Sequence, residues 1–338
     1  MEIRARAPLR LSFVGGGTDV EPFASTYGGA VLSATIDRYV YCTVSDVPGP
    51  SCSLAFDPSV DLAPRDFDLT LVDGVRRLFG VGDVRVVVES DTPAGSGLGS
   101  SSAAVVAVVK ALSEFAGERL SRYELAATSI RVEREILGIP GGYQDQYAAA
   151  FGGFNVMRFD GGQAAEVEPL RLERSVVRDL EYALVLVYSG TVDTHFHIID
   201  DQQRRYGGPG SASHQALSRM KELVPTVLSC LNRHDVDSIG ELLLEDWRLK
   251  RTLSPHISNP AVDALIEGLL ASGGRGAKLL GAGGGGYVLC LAEAGCRAQV
   301  QHAAMQGGGR PVPFRFEEEG AVAWRPITQL QASASRGG

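Results

Sequence analysis

The segment Pro93-Ala94-Gly95-Ser96-Gly97-Leu98-Gly99-Ser100-Ser101-Ser102-Ala103 constrains this chain more than any other. Ahead of it, Val84 to Ser90 is rich in β-branched residues and reads as a strand. Behind it, Ala103 to Phe115 is rich in Ala, Val and Leu and reads as a buried helix. Strand, glycine loop and helix in that order gather backbone N–H groups at the positive end of a helix dipole. Such a place holds an anion, usually a phosphate. Gly95, Gly97 and Gly99 let the backbone approach a ligand with no Cβ in the way. The three serines add hydroxyl oxygens for a phosphate or a metal ion. No lysine follows Gly99, so this is not the G-x-x-x-x-G-K-[ST] loop. The plain alternative is a Gly/Ser turn that only caps a helix.

A chain of 338 residues is long enough for two domains. Its 32 basic and 40 acidic side chains leave a net charge of −8, with no basic tract. Nucleic acid and anionic membrane surfaces are therefore not expected partners. The five cysteines form no C-x-x-C pair and fit reduced thiols in the cytoplasm. Neither a signal peptide nor an apolar run of spanning length is visible, so no membrane association is expected.

The pattern predicts a strand over Ile3 to Val14, broken by Gly15-Gly16-Gly17-Thr18-Asp19. Gly29 to Asp37 and Tyr39 to Asp46 read as a hairpin. Ser121 with Glu124 forms a capping box for a helix reaching about Leu137. Gln144 to Phe151 reads as a short helix, and Tyr182 to Tyr188 as an apolar strand. Helices are expected near 213–232, 236–250 and 260–272. The run from Gly276 to Cys290 reads as strand, glycine turn, strand. Val312 to Phe316 and Ala321 to Trp324 read as closing strands. The mixed order argues an α+β fold in both halves, divided at residue 177 into 1–177 and 178–338.

Three motifs stand in order: Pro8-Leu9-Arg10-Leu11-Ser12-Phe13-Val14-Gly15-Gly16-Gly17-Thr18-Asp19, the glycine–serine loop, and Lys278 to Tyr287. Together they resemble the GHMP small-molecule kinases over nearly the whole chain. Arg6 to Leu11, Gly28 to Leu32 and Gln144 to Asn155 are most similar to the sugar 1-kinase branch that acts on heptose 7-phosphates. The resemblance implies a ribosomal protein S5 domain 2-like first domain and a ferredoxin-like second one, with ATP and sugar meeting between them. It assigns Pro93, Gly95, Ser96, Gly97, Leu98, Gly99, Ser100, Ser101 and Ser102 to ATP. It implies Mg2+ held by Ser101 or Ser102 with Glu133; Glu135 is the fallback, and a surface ion pair with Arg131 or Arg134 is the plain alternative for Glu133. Asp145 matches the family's acidic base, with a helix N-cap as its plain alternative, and Arg10 matches the basic residue that pairs with it or faces the moving phosphoryl group. Asp19, with Gly16, Gly17 and Thr18, would meet the sugar, as would Gly142, Tyr143, Gly283 and Gly284. Lys278 and the glycines after it would support the phosphate loop, or form a tight turn only.

Two positions depart from the heptose-phosphate pattern. Tyr143 stands where a lysine is usual, and Asp193 where an arginine is usual. Arg38, Arg204, Arg205, His195 and His197 are the residues able to replace that charge. The expected activity is ATP-dependent phosphorylation of the anomeric hydroxyl of a heptose 7-phosphate. A kinase of an unphosphorylated sugar is the alternative, and a catalytically silent sugar sensor a more distant one. Monomer and homodimer are both open.

Overall fold

Two long strands carry the first sheet. β1 (Glu2–Val14) and β2 (Gly29–Ser45) pair antiparallel, and the short helix α1 (Phe23–Tyr27) lies in the connection between them. The computed structural model describes residues 1–46, 52–56, 67–93, 95–161, 164–190 and 195–327. On its other side β2 holds two partners. β3 (Cys52–Phe56) lies parallel to β4 (Arg85–Ser90), which pairs with residues 40–45 of β2. β5 (Phe154–Phe159) pairs with residues 29–34 and carries β6 (Glu166–Leu170) on its far side.

The predicted hairpin is one continuous strand. Asp37 and Arg38 form a bulge, because Pro8 faces Tyr39 while Leu9 faces Ile36. A two-residue type I′ turn needs positive φ at both central residues, which Arg38 does not readily supply. Asp37 is instead held from another segment: its N–H donates to the Arg315 carbonyl, and its carboxylate accepts the Arg315 N–H.

Helix α2 (Phe67–Leu78) precedes β4, and α3 (Ser100–Phe115) packs on β1 and β2. Eleven residues of α3 are buried, in keeping with its nearly uncharged sequence. α4 (Arg122–Arg131) starts at the predicted capping box: Ser121 Oγ accepts the Glu124 N–H and Glu124 accepts the Ser121 N–H. It continues into a π-helical turn, Val132–Ile136, then into α5 (Gln144–Phe151) through a glycine turn.

The expected division at 177 falls inside α6 (Arg174–Ala183), which links the first sheet to β7 (Leu184–Tyr188). Tyr182 and Ala183, expected in that strand, end the helix. β7 belongs to a second, antiparallel sheet with β8 (Gly274–Leu279), β9 (Tyr287–Ala292) and β10 (Arg310–Val312), in the order β10-β7-β9-β8. Around it lie α7 (His195–Arg205), α8 (Ala212–Asn232), α9 (Val236–Arg251), α10 (Pro260–Ala271) and α11 (Arg297–Gln306). α9 sits so close on β8 that a Cβ at Gly276 would lie 1.7 Å from the Gly240 carbonyl. The last strand, β11 (Val322–Trp324), was expected to close the second half. It pairs instead with the outer edge of β1, Arg4 opposite Trp324. A bare strand edge is a liability, and β11 pairs with this one at Arg4 to Arg6. No helix among the described residues is long and apolar enough to cross a membrane.

Candidate active site

The loop before α3 is built for an anion. Gly95, Gly97 and Gly99 all have positive φ, between 74° and 88°, which only glycine adopts freely. Gly99 is the N-cap of α3 and brings no side chain to its free N–H groups, so these remain for a ligand. The Ser96 hydroxyl is buried with no hydrogen-bond partner, as expected of an oxygen placed for a phosphate. The third motif braces the loop. A Cβ on Gly97 would lie 2.5 Å from the Leu280 carbonyl, one on Gly281 2.3 Å from Gly97 Cα, and one on Gly286 2.3 Å from the Ser96 carbonyl. The Tyr287 N–H donates to the Ser96 carbonyl at 3.0 Å. Leu98 is wholly buried; its carbonyl accepts the Arg10 N–H from β1, and the Pro93 carbonyl accepts the Ser100 hydroxyl at 3.4 Å.

Directly over Gly99 lies Asp145, in the first turn of α5; a Cβ on Gly99 would be 3.3 Å from its carboxylate. Arg10 binds both carboxylate oxygens, Nε at 2.7 Å and Nη2 at 3.0 Å, and its Nη1 donates to the Gly97 carbonyl at 2.5 Å. The two predicted catalytic residues and the phosphate loop thus meet at one point.

Glu133 sits in the π-helical turn, 2 % exposed. Its Oε2 accepts from Ser102 Oγ at 3.2 Å, from Arg134 at 3.4 Å and from the Gln146 amide. Burial pushes its pKa up, against the opposing effect of Arg134. A carboxylate kept in such a place gains from a nearby cation. Gln146 Oε1 is also buried without a partner. Ser102 and Glu133 are hard oxygen donors that suit Mg2+. Among the described residues no group of three or more His, Cys, Asp or Glu side chains gathers, so the remaining ligands would be phosphate oxygens and water. Ser101 is exposed and Glu135 lies on the surface, so the structure brings Ser102 rather than Ser101 to Glu133.

A cleft opens beside Asp145, between the first motif, α5, α7, α9 and the Leu280–Ala282 loop. Gly16, Gly17, Asp19 and Gly142 line it. Asp19 is wholly buried, and its oxygens accept the N–H groups of Gly17, Tyr143 and Gln144 and the Gln144 side-chain amide. It therefore clamps the turn that carries Asp145. Thr18 does not reach the cleft, because its hydroxyl is bonded to the Gly15 and Ala30 backbone. Tyr143 does not line it either: its ring packs on Phe159 and its hydroxyl donates to Glu21 at 3.0 Å. That hydroxyl is pushed up to about 12 by burial and by Glu21. Gly283 and Gly284 pack on the Ile257 backbone instead of facing the cleft. Arg38 is occupied by the Asp37 and Pro313 carbonyls, and Arg205 by Asp201 at 2.7 Å. Asp193 and the side chains of His195 and His197 fall outside the described residues.

Sequence reasoning gave α9 as a helix but named no residue of it for the site. Its Asp246 is wholly buried, accepts the Gly15 N–H at 2.9 Å and pairs with Lys278 Nζ at 2.5 Å. Lys278 also donates to the Phe13 carbonyl at 2.8 Å, so the first and third motifs are tied through α9. One helical turn on, Lys250 lines the cleft and donates to the Gly281 carbonyl. An Asp and a Lys at i, i+4 read in sequence as an ordinary surface pair.

Residues 69–153 match the GHMP kinases N terminal domain, and residues 227–306 the GHMP kinases C terminal domain. The chain is 32% identical over 340 residues to a D-glycero-alpha-D-manno-heptose 7-phosphate kinase of Campylobacter jejuni, covering 96% of this chain and 99% of that one. The chain belongs to the GHMP kinase family. A solved D-glycero-D-manno-heptose 1-phosphate kinase of Bacteroides thetaiotaomicron superposes on this kinase with TM-score 0.77 at 29% identity, covering 96% of this chain and 99% of that one. A galactokinase of Thermococcus kodakarensis is 27% identical, covering 87% of this chain and 90% of the relative. The kinase is thus an ATP-dependent sugar kinase, with the two-part α+β fold that its three motifs imply.

Proposed function

We propose that this kinase transfers the γ-phosphoryl group of ATP to the anomeric hydroxyl of a heptose 7-phosphate, giving a heptose 1,7-bisphosphate. The observation that carries the reading is the Arg10–Asp145 pair standing over Gly99 at the start of α3. An acceptor hydroxyl in the cleft and a phosphoryl group on the helix N-terminus would meet there. Asp145 takes the proton of the hydroxyl as its oxygen bonds to phosphorus and the bond to ADP breaks. Arg10 fixes both oxygens of Asp145 and faces the charge of the moving group. Residues 93 and 95–102 receive the nucleotide phosphates, and Ser102 and Glu133 would hold Mg2+, which offsets charge on the phosphate oxygens. Gly16, Gly17 and Gly142 border the sugar. Residues 1–177 serve as the ATP-binding N-terminal domain and 178–338 as the C-terminal domain, whose β11 returns to the first sheet. The likeness to the Campylobacter enzyme over nearly both whole chains supports the heptose.

One observation favours an unphosphorylated sugar as a second reading. A shallow extension of the cleft runs past Gly17, Val20 and Gln202. Glu21, Gln203, Tyr206 and Ser213 are among its walls, and none of its described lining residues is Lys or Arg. Comparing kcat/KM for a heptose 7-phosphate and its dephosphorylated form decides between the readings. One or two charge-assisted hydrogen bonds to the phosphate correspond to about 2–5 kcal/mol, a preference of roughly 30-fold or more. Equal values, or a preference for the free sugar, reject the heptose 7-phosphate and promote the second reading.

A further inference from the structure

Every charged side chain lining the cleft has a counter-group except one. Arg10 pairs with Asp145, Lys278 with Asp246, and Asp19 is filled by N–H groups. Lys250 is 93% buried, from a relative exposure of 7%, and among the described residues it forms no ion pair. Its hydrogen bond is to the Gly281 carbonyl. Buried charges without a partner are costly and mark places that receive one. The location of Lys250 says which. Gly281 packs on Gly97 of the phosphate loop, and the Gly97 carbonyl is the acceptor for Arg10. Lys250 and Arg10 therefore flank the same two glycines, from α9 and from β1. We propose that Lys250 is a phosphate-contacting residue of the transfer site, whose ammonium meets the γ-phosphoryl group as it passes from ATP to the sugar. This rests on the seat for ATP at the start of α3 given above.

The charged groups facing Lys250 are Lys278 on β8, Asp246 on α9, Arg10 on β1 and Asp19 after β1. Burial, then Lys278, brings its pKa down to about 7, with Asp246 and Asp19 opposing. At pH 8 the amine therefore carries less charge than an ordinary lysine. A γ-phosphate beside it favours the charged form, so Lys250 takes up a proton when ATP arrives. That gives a readout independent of turnover.

The test is calorimetric titration of the enzyme with Mg·ATP and with Mg·ADP at pH 8, in buffers of different ionisation enthalpy. The wild type should take up a substantial fraction of a proton per site with Mg·ATP, as the Lys250 pKa rises from about 7, and far less with Mg·ADP. Lys250→Met should abolish the uptake and lower kcat by about 10²-fold or more, with sugar KM within about threefold. Lys250→Arg should restore part of kcat and none of the uptake. Lys250→Met removes a buried charge, so the fold should hold, and the arginine variant keeps the charge if it does not. Uptake unchanged in Lys250→Met, or kcat within threefold of wild type, overturns the proposal. A fault in the underlying reading registers differently: Asp145→Asn would then turn over sugar at the wild-type rate.

Discussion

Two carboxylates near the phosphate loop sit in opposite surroundings. Asp145 is partly open to the cleft and has a guanidinium on both oxygens; Glu133 is closed in and raised in pKa by burial. Their substitutions should separate cleanly. Asp145→Asn should keep its place beneath Arg10 and leave ATP affinity within about twofold, while turnover falls about 10²–10⁴-fold. Steady-state kinetics with nucleotide binding measured apart checks this. Glu133→Gln should instead raise the Mg2+ concentration needed for half-maximal rate; an unchanged Mg2+ titration would remove Glu133 from the metal site. Arg10 and Asp145 could be singled out in the sequence by the motifs that they stand in, and Glu133 by the family resemblance alone. Lys250 could not. Nothing in Asp246-Trp247-Arg248-Leu249-Lys250 tells an inward-facing pair from a solvated one until β8 is laid against the helix. Asp19 was legible as important, but its four N–H donors come from a turn more than a hundred residues away as well as from Gly17.

At the scale of elements, the phosphate loop does not hold its own shape. It is pressed between β1, through the Arg10 N–H, and the glycine turn before β9, through Gly281 and Gly286. Gly97→Ala should therefore act twice. A Cβ at φ +88° strains the backbone by about 1–3 kcal/mol, and it also strikes the Leu280 carbonyl. Denaturant unfolding should show the stability loss, and Kd for Mg·ATP should rise at least tenfold. Gly276→Ala makes the contrasting control: its clash is with Gly240, so stability should fall while nucleotide affinity in the folded fraction stays the same. Helix starts were readable where a cap is local, as at Ser121 and Glu124. The bulge at Asp37 was not readable, because the segment that fixes it, around Arg315, is far along the chain.

At the scale of the molecule, one buried ion pair ties the two sheets. Lys278 from the second reaches the Phe13 carbonyl of the first, and Asp246 reaches both Lys278 and the Gly15 N–H. Removing one partner leaves the other as a bare buried charge. Asp246→Leu should cost about 3–5 kcal/mol of unfolding free energy, and the double variant Asp246→Leu, Lys278→Met distinctly less. A double-mutant cycle in urea measures the difference. The α+β class followed from the order of strands and helices; the attachment of β11 to β1 did not, since a three-residue strand carries no address. That attachment bears on how the protein is made. β1 leaves the ribosome some three hundred residues ahead of the strand that pairs with its outer edge at Arg4 to Arg6. The first sheet therefore keeps that edge open while the intervening chain is made, and chaperones that bind exposed strand edges have a long opportunity there.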